Sequence, residues 1–245
     1  MPEVTVYFWI AKILTTAMGE ALSDYLVHRF DPVIAVAFGA VVLVAALALQ
    51  WAAGRYVAWI YWLAVATVAV TGTMAADVLH IRFGVPYAVS TLLFAAVLTV
   101  VFIAWYASEK TLSIHSIFTL RREVFYWATV MSTFALGTAA GDLTAFTLHL
   151  GFFSSGLLFA GAFAVPAVAY RFGLNPVLAF WSAYVVTRPL GASFADWMGK
   201  ARSAGGLAWG DRTVALVLAL LIVAVVAYLT VSRTDSETSR RPSYR

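Results

Sequence analysis

Long apolar runs separated by short polar breaks set the pattern of this chain. Eight runs, at about 5–28, 32–51, 57–80, 86–106, 123–148, 151–171, 176–199 and 213–231, are each long enough to cross a bilayer as a helix. They alternate in character. The stretch 32–49 has no charged or amide side chain, and 86–106, 151–171 and 213–231 offer little beyond Ser and Thr. The odd-numbered runs instead carry charged residues at regular places, which argues for a shared polar surface because such residues cost about 2.5–3.5 kcal/mol each inside a membrane.

Those places follow a four-fold repeat. An aromatic–Trp pair is followed ten residues after the Trp by Gly and five later by Asp. The copies are Phe8-Trp9…Gly19…Asp24, Tyr61-Trp62…Gly72…Asp77, Tyr126-Trp127…Gly137…Asp142 and Phe180-Trp181…Gly191…Asp196. Successive Asp residues lie 53, 65 and 54 positions apart, as expected for a helical hairpin duplicated twice, with a longer central loop at about 108–122. Each unit contributes two crossings, so all copies enter from one side and the four Asp residues share one depth. Trp and Asp stand roughly 22 Å apart along a helix, and Trp, Gly and Asp fall at about 0°, 280° and 60° around it. Lys12, Glu20, Thr73, Thr138 and Arg188 join the same stripe. The predicted architecture is an all-α polytopic membrane protein: eight transmembrane helices as four tandem parallel hairpins, odd helices inner and even helices outer. Its expected parts are a first half at 1–118, a second half at 119–232 and a disordered, Ser/Arg-rich cytoplasmic tail at 233–245.

Composition agrees with this picture. Hydrophobic residues make up 62% of the chain and charged ones 11%, against about half and a quarter in soluble domains. The absence of Cys excludes disulfides and thiolate chemistry. The first run carries Lys12, Glu20 and Asp24 and lacks a basic leader, so it reads as a retained helix and not a signal peptide. Loops after odd runs hold five Lys or Arg and the opposite side nine, which places both termini in the cytoplasm. The net charge of +4 reflects these flanks and points to no nucleic-acid partner.

The candidate chemistry lies in the inner stripes. Glu20, Asp24, Asp77, Asp142 and Asp196 form an expected ring of carboxylates for ion binding and translocation. Carboxylates suit hard divalent cations. Lys12, Arg188 and Thr187 are the charge partners or gate, with Pro189 expected to kink its helix beside Arg188. His28 and His80 follow repeat Asp residues at helical spacing and are weaker metal-ligand candidates. The alternative for each Asp is a structural one, as a cap or as the partner of Lys12 or Arg188. The repeat Trp residues fit an interfacial aromatic belt, and the repeat Gly residues allow close helix packing. No phosphate loop, nucleophile triad or intramembrane bis-His pair occurs, so no enzyme is expected.

The run K-x-x-x-T-A-M-G-E-A-x-S-D in the first copy and YW…GT-x-x-x-D in the middle two resemble a bacterial membrane repeat family of unknown function, uncharacterised membrane-anchored proteins. The resemblance covers all four hairpins and implies a multi-pass protein of the bacterial inner (plasma) membrane. Ala192 departs from the pattern, standing where the other copies have Glu20, Thr73 and Thr138. The leading functional expectation is a transporter or channel for a divalent metal cation, manganese first, the ion being cargo and no cofactor being identified. The alternatives are a non-transporting structural or accessory membrane protein, and a proton-coupled transporter of a small solute or anion. The partners expected are the lipid bilayer and a small ion or solute, and a homo-oligomer is compatible with the sequence.

Overall fold

A computed structural model describes residues 1–235. Eight long helices carry the fold: α1 (Val6–Arg29), α2 (Pro32–Ala53), α3 (Ala58–Ile81), α4 (Tyr87–Glu109), α5 (Leu120–Asp142), α6 (Gly151–Arg171), α7 (Pro176–Gly199) and α8 (Asp211–Ser232). They fall where the apolar runs predict them, and the chain is all-helical. Local chemistry sets several boundaries. Asp31 and Asn175 each cap a helix through Oδ1, accepting Val33 N–H at 2.9 Å and Val177 N–H at 2.9 Å, and each is followed by a proline at the first helical position. Gly54 (φ +59°) ends α2 in the left-handed conformation. Five helices, α2, α3, α4, α6 and α8, are long and apolar enough to cross a membrane. The other three, α1, α5 and α7, carry most of the intrahelical charge.

The odd helices pack in a closed cycle, α1 on α3, α3 on α5, α5 on α7 and α7 back on α1. The repeat glycines make each of these contacts. A Cβ on Gly19 would stand 2.6 Å from Ala69 Cβ, one on Gly72 would stand 2.8 Å from Phe134 Cβ, one on Gly137 would strike Arg188 and stand 2.9 Å from Pro189 Cδ, and one on Gly191 would strike Thr16. Thr16, Ala69, Phe134 and Arg188 all lie three residues before the repeat Gly of their own helix. Every seam therefore uses the same register, with the Gly of one copy receiving this position of the next. Four helices so joined surround an axis with four-fold pseudosymmetry.

Each even helix packs mainly on the odd helix of the following copy: α2 on α3, α4 on α5, α6 on α7, and α8 on α1. The predicted hairpins are thus contiguous in sequence but splayed in space, since α2 makes only a small contact with α1. The halves 1–118 and 119–232 share one cycle, for α1 lies against α7 and α8, and α3 lies against α5. Burial explains the attachment. On α2 a single stripe of Ala35, Gly39, Leu43, Ala46 and Gln50 is buried, while apolar residues such as Phe38 and Val41 are exposed.

Of the expected tail, residues 233–235 are folded. Asp235 is buried, its carboxylate accepts the Tyr56 hydroxyl, and its carbonyl accepts Glu3 N–H at 2.9 Å. This brings the two ends of the described chain together. The remainder of the expected disordered tail lies outside the described residues.

Candidate functional site

The axis is built in layers, each one repeat position deep. At the level of the residue after the repeat Gly, α1, α3 and α5 present Glu20, Thr73 and Thr138, and α7 presents Ala192. Arg188 of α7 crosses this layer. Its Nη2 donates to Glu20 Oε2, to Thr73 Oγ1 and, at 2.8 Å, to Thr138 Oγ1, while Nη1 donates to the Thr16 carbonyl at 2.9 Å. One guanidinium thus binds the other three helices of the cycle, with no solvent exposure. A guanidinium suits this place because its fork of five donors is fixed and always charged. The copy that supplies the arginine is the one that supplies no acceptor, which accounts for Ala192. Thr187, named with Arg188 as a gate, makes a helix contact: its carbonyl accepts Thr16 Oγ1 at 3.2 Å, and its own hydroxyl donates to the Tyr184 carbonyl at 2.6 Å.

One turn further along, the common register of the four seams brings the repeat Asp residues to one end of the cycle. They are not equivalent. Ligand oxygens of Glu20, Asp24 and Asp196 lie within 4.8 Å of one another, and all three residues are buried. Asp77 instead accepts the Ser23 hydroxyl at 2.8 Å. Asp142 is half-buried where α5 loosens into a single wide turn, residues 143–147. Lys200, just past α7, binds Asp24 and stands 3.7 Å from both Asp196 and Asp211. Burial opposes its charge, but Asp24 and Asp196 outweigh burial and raise its pKa. The loop after α7 holds this arrangement, with Leu207 N–H donating to the Trp197 carbonyl at 2.7 Å and Gly210 N–H to the Gly199 carbonyl at 3.1 Å.

Toward the other end, Lys12 is buried with Nζ 4.1 Å from the ring centroids of both Phe134 and Tyr184, and without a hydrogen-bond partner. Beyond it the repeat aromatics close the axis. Each aromatic packs on the Trp of the next copy: Phe8 on Trp62 at 5.7 Å, Tyr61 on Trp127 at 5.7 Å, Tyr126 on Trp181 at 6.2 Å and Phe180 on Trp9 at 5.8 Å between centroids. The Trp residues therefore form a collar between helices and not an interfacial belt, with Trp62, Trp127 and Trp181 no more than 4% exposed. The linker between the halves seals this end, since Trp181 Nε1 donates to the Leu112 carbonyl at 2.9 Å and Ile114 and Ile117 are buried.

The histidines do not join the acids. His28 is exposed and its Nδ1 contacts the Asp24 carbonyl at 2.7 Å. His80 engages the Val85 carbonyl at 2.7 Å and Ser90 Oγ at 3.2 Å with its two ring nitrogens. Helical spacing from an Asp places a histidine near that carboxylate's turn, but here backbone groups at the helix ends take the rings. Lys200, Ser23 and Tyr184 are the site residues that repeat counting passes over. Only Lys200 left a trace in the sequence, standing four residues after Asp196 where other copies offer His.

No curated protein and no solved structure matches the chain. A family model does, at residues 7–56, 60–111, 125–172 and 179–235. Each match begins beside a repeat aromatic pair and runs through one odd helix and the even helix that follows. The chain belongs to the family described as the Repeat of Unknown Function (DUF347), which it contains four times over.

Proposed function

We propose that the protein is a carrier for a divalent metal cation, manganese first. All eight helices cross the inner membrane of a bacterium, the odd ones inside, the even ones facing lipid, and both termini lie in the cytoplasm. The observation that carries this reading is the buried group Glu20, Asp24 and Asp196, whose oxygens are close enough to share one ion. Hard divalent cations are bound by such oxygens, at about 2.0–2.6 Å. Arg188 and Lys200 occupy the same carboxylates and so compete with the ion. A carrier is favoured over an open pore because Arg188 and the aromatic collar close the axis.

The test is manganese binding by the purified protein and manganese uptake into proteoliposomes. Glu20→Gln, Asp24→Asn and Asp196→Asn each weaken binding, and Lys200→Gln strengthens it by removing a competing charge. Binding that is unchanged in all three acid variants refutes the proposal. The Arg188 network also fits a second reading, a non-transporting membrane component whose polar axis only holds the helices together. In that case the same variants lower thermal stability and leave every flux untouched.

A further inference from the structure

On the outside of the cycle, a groove of about 650 Å³ opens over the seam between α7 and α1 at the collar end. Phe180 and Ala183 of α7 form its floor, Trp9 and Ile13 of α1 one wall, and Phe163 and Ala167 of α6 the other. The two walls share little direct contact, so the groove is a gap in the outer shell. Its lining changes character only at the mouth, where Ser113 and His115 of the linker meet Tyr170 and Arg171 at the end of α6. The linker is fixed there by the bond from Trp181 Nε1 to the Leu112 carbonyl and by the buried Ile114. His115 and Arg171 are exposed. No acidic residue lines the groove, and no ion pair among the described residues includes Arg171. Both α1 and α7 begin at this mouth, and the positive ends of helices favour anions. A second groove, of about 460 Å³ between α1, α2 and α3, has no charged residue in its lining and lacks any such mouth.

The geometry points to a binding site for one anionic phospholipid, with an acyl chain in the groove between α1 and α6 and the phosphate at Arg171. A guanidinium suits a phosphate because its planar fork donates two parallel hydrogen bonds. Ser113, His115 and Tyr170 can add further donors around the same headgroup. Basic pockets between helices on the cytoplasmic side of a membrane are where anionic headgroups bind, and this is the end that the Lys and Arg count assigns to the cytoplasm. A zwitterionic lipid carries the same phosphate but also an ammonium, which would stand near Arg171 with no acid in the groove to receive it. Bound here, the lipid braces α1 against α6 beside the seam in which Arg188 holds the Thr16 carbonyl. The site rests on the membrane placement proposed above and is independent of the metal.

The experiment titrates the full chain, purified in detergent without metal, with phosphatidylglycerol and with phosphatidylcholine of the same acyl chains. Bound lipid is counted by native mass spectrometry. One phosphatidylglycerol should bind about fivefold more tightly than phosphatidylcholine, the contribution of one basic residue near a headgroup. Arg171→Gln should remove the preference and Arg171→Lys should keep most of it. Arg55→Gln, at the exposed turn between α2 and α3 that corresponds to the turn holding Arg171, should leave it unchanged. Ala167→Phe fills the groove and keeps the arginine, so it should weaken binding of both lipids. Equal affinity for the two lipids overturns the site, as does a preference that survives Arg171→Gln or falls equally in Arg55→Gln. A dimer that Ala167→Phe dissociates would put a second copy in the groove and overturn it too. Insertion into vesicles, read by flotation, is scored separately. A protein that inserts without lipid preference refutes the lipid site alone, and one that fails to insert refutes the membrane placement with it.

Discussion

At the scale of single residues, the arrangement turns on a guanidinium that water does not reach. Burying a charge is tolerable when it is paired and hydrogen-bonded, and both terminal nitrogens of Arg188 are bonded, with Glu20 as counter-ion and Thr73, Thr138 and the Thr16 carbonyl taking further bonds, while its Nε has no partner. Removing one partner strands the other, so Arg188→Met should cost about 3–5 kcal/mol of stability. The loss is read as a lower unfolding temperature in detergent. Glu20→Gln combined with Arg188→Met should recover much of it, because neither charge is then left alone. A double variant no more stable than the single one would contradict this. Arg188 and Glu20 could both be picked out as expensive residues on a polar stripe. That they meet could not, because helical angles put each on its own stripe and say nothing of how two helices are rotated against each other. The same gap hid the pairing of Lys200 with Asp24, though the spacing of Lys200 from Asp196 was visible, and misdirected His80, whose ring is taken by Val85 and Ser90.

At the scale of helices, the repeat glycine is a spacing device. Gly137 lets α5 approach so closely that an added methyl would stand 2.9 Å from Pro189 Cδ. Gly137→Ala should therefore push α5 and α7 apart and destabilise the protein by about 1–3 kcal/mol, the usual cost of overpacking. Gly161 on α6 provides the contrast, since an added Cβ there meets nothing within 4 Å. Gly161→Ala should be neutral or gain about 0.5–1 kcal/mol from the lower flexibility of alanine. Thermal unfolding of the two variants side by side separates packing from propensity, and equal effects would remove the glycine contact as an explanation. Helix positions were legible in the sequence because hydrophobic length alone sets them. The partner of each even helix was not. An apolar surface such as that of α2 fits α1 and α3 equally by hydropathy, and the stripe Ala35, Gly39, Leu43 and Ala46 becomes meaningful only against α3. The collar Trp residues were misplaced for a related reason, since depth along a helix is the same at an interface and inside a ring.

At the scale of the molecule, the cycle closes where the chain does not. Helix α8 packs on α1, and Glu3 N–H donates to the Asp235 carbonyl at 2.9 Å, so the break between the chain's ends is one more junction between copies. A circular permutant that joins residue 235 to residue 3 by a short linker and opens between Gly54 and Arg55 should fold to the same cycle. Gly54 is exposed and a Cβ there meets nothing within 4 Å, which suits new termini. Size-exclusion behaviour and an unfolding temperature close to those of the parent would bear this out, and an aggregated permutant would show that chain order carries information beyond the packing.

The shared register of the four seams bears on why the copies are fused. Four separate hairpins could close the same cycle through one repeated head-to-tail contact. Such a tetramer would have to place identical side chains at each level of its axis, so a guanidinium or a carboxylate present in one hairpin would be present four times in a layer where this chain holds one of each. A single chain escapes that rule. It can set one arginine against one glutamate and two threonines, leave an alanine in the last place, and thereby turn a symmetric barrel of helices into an object whose charge, in that layer, is confined to two of its four sides.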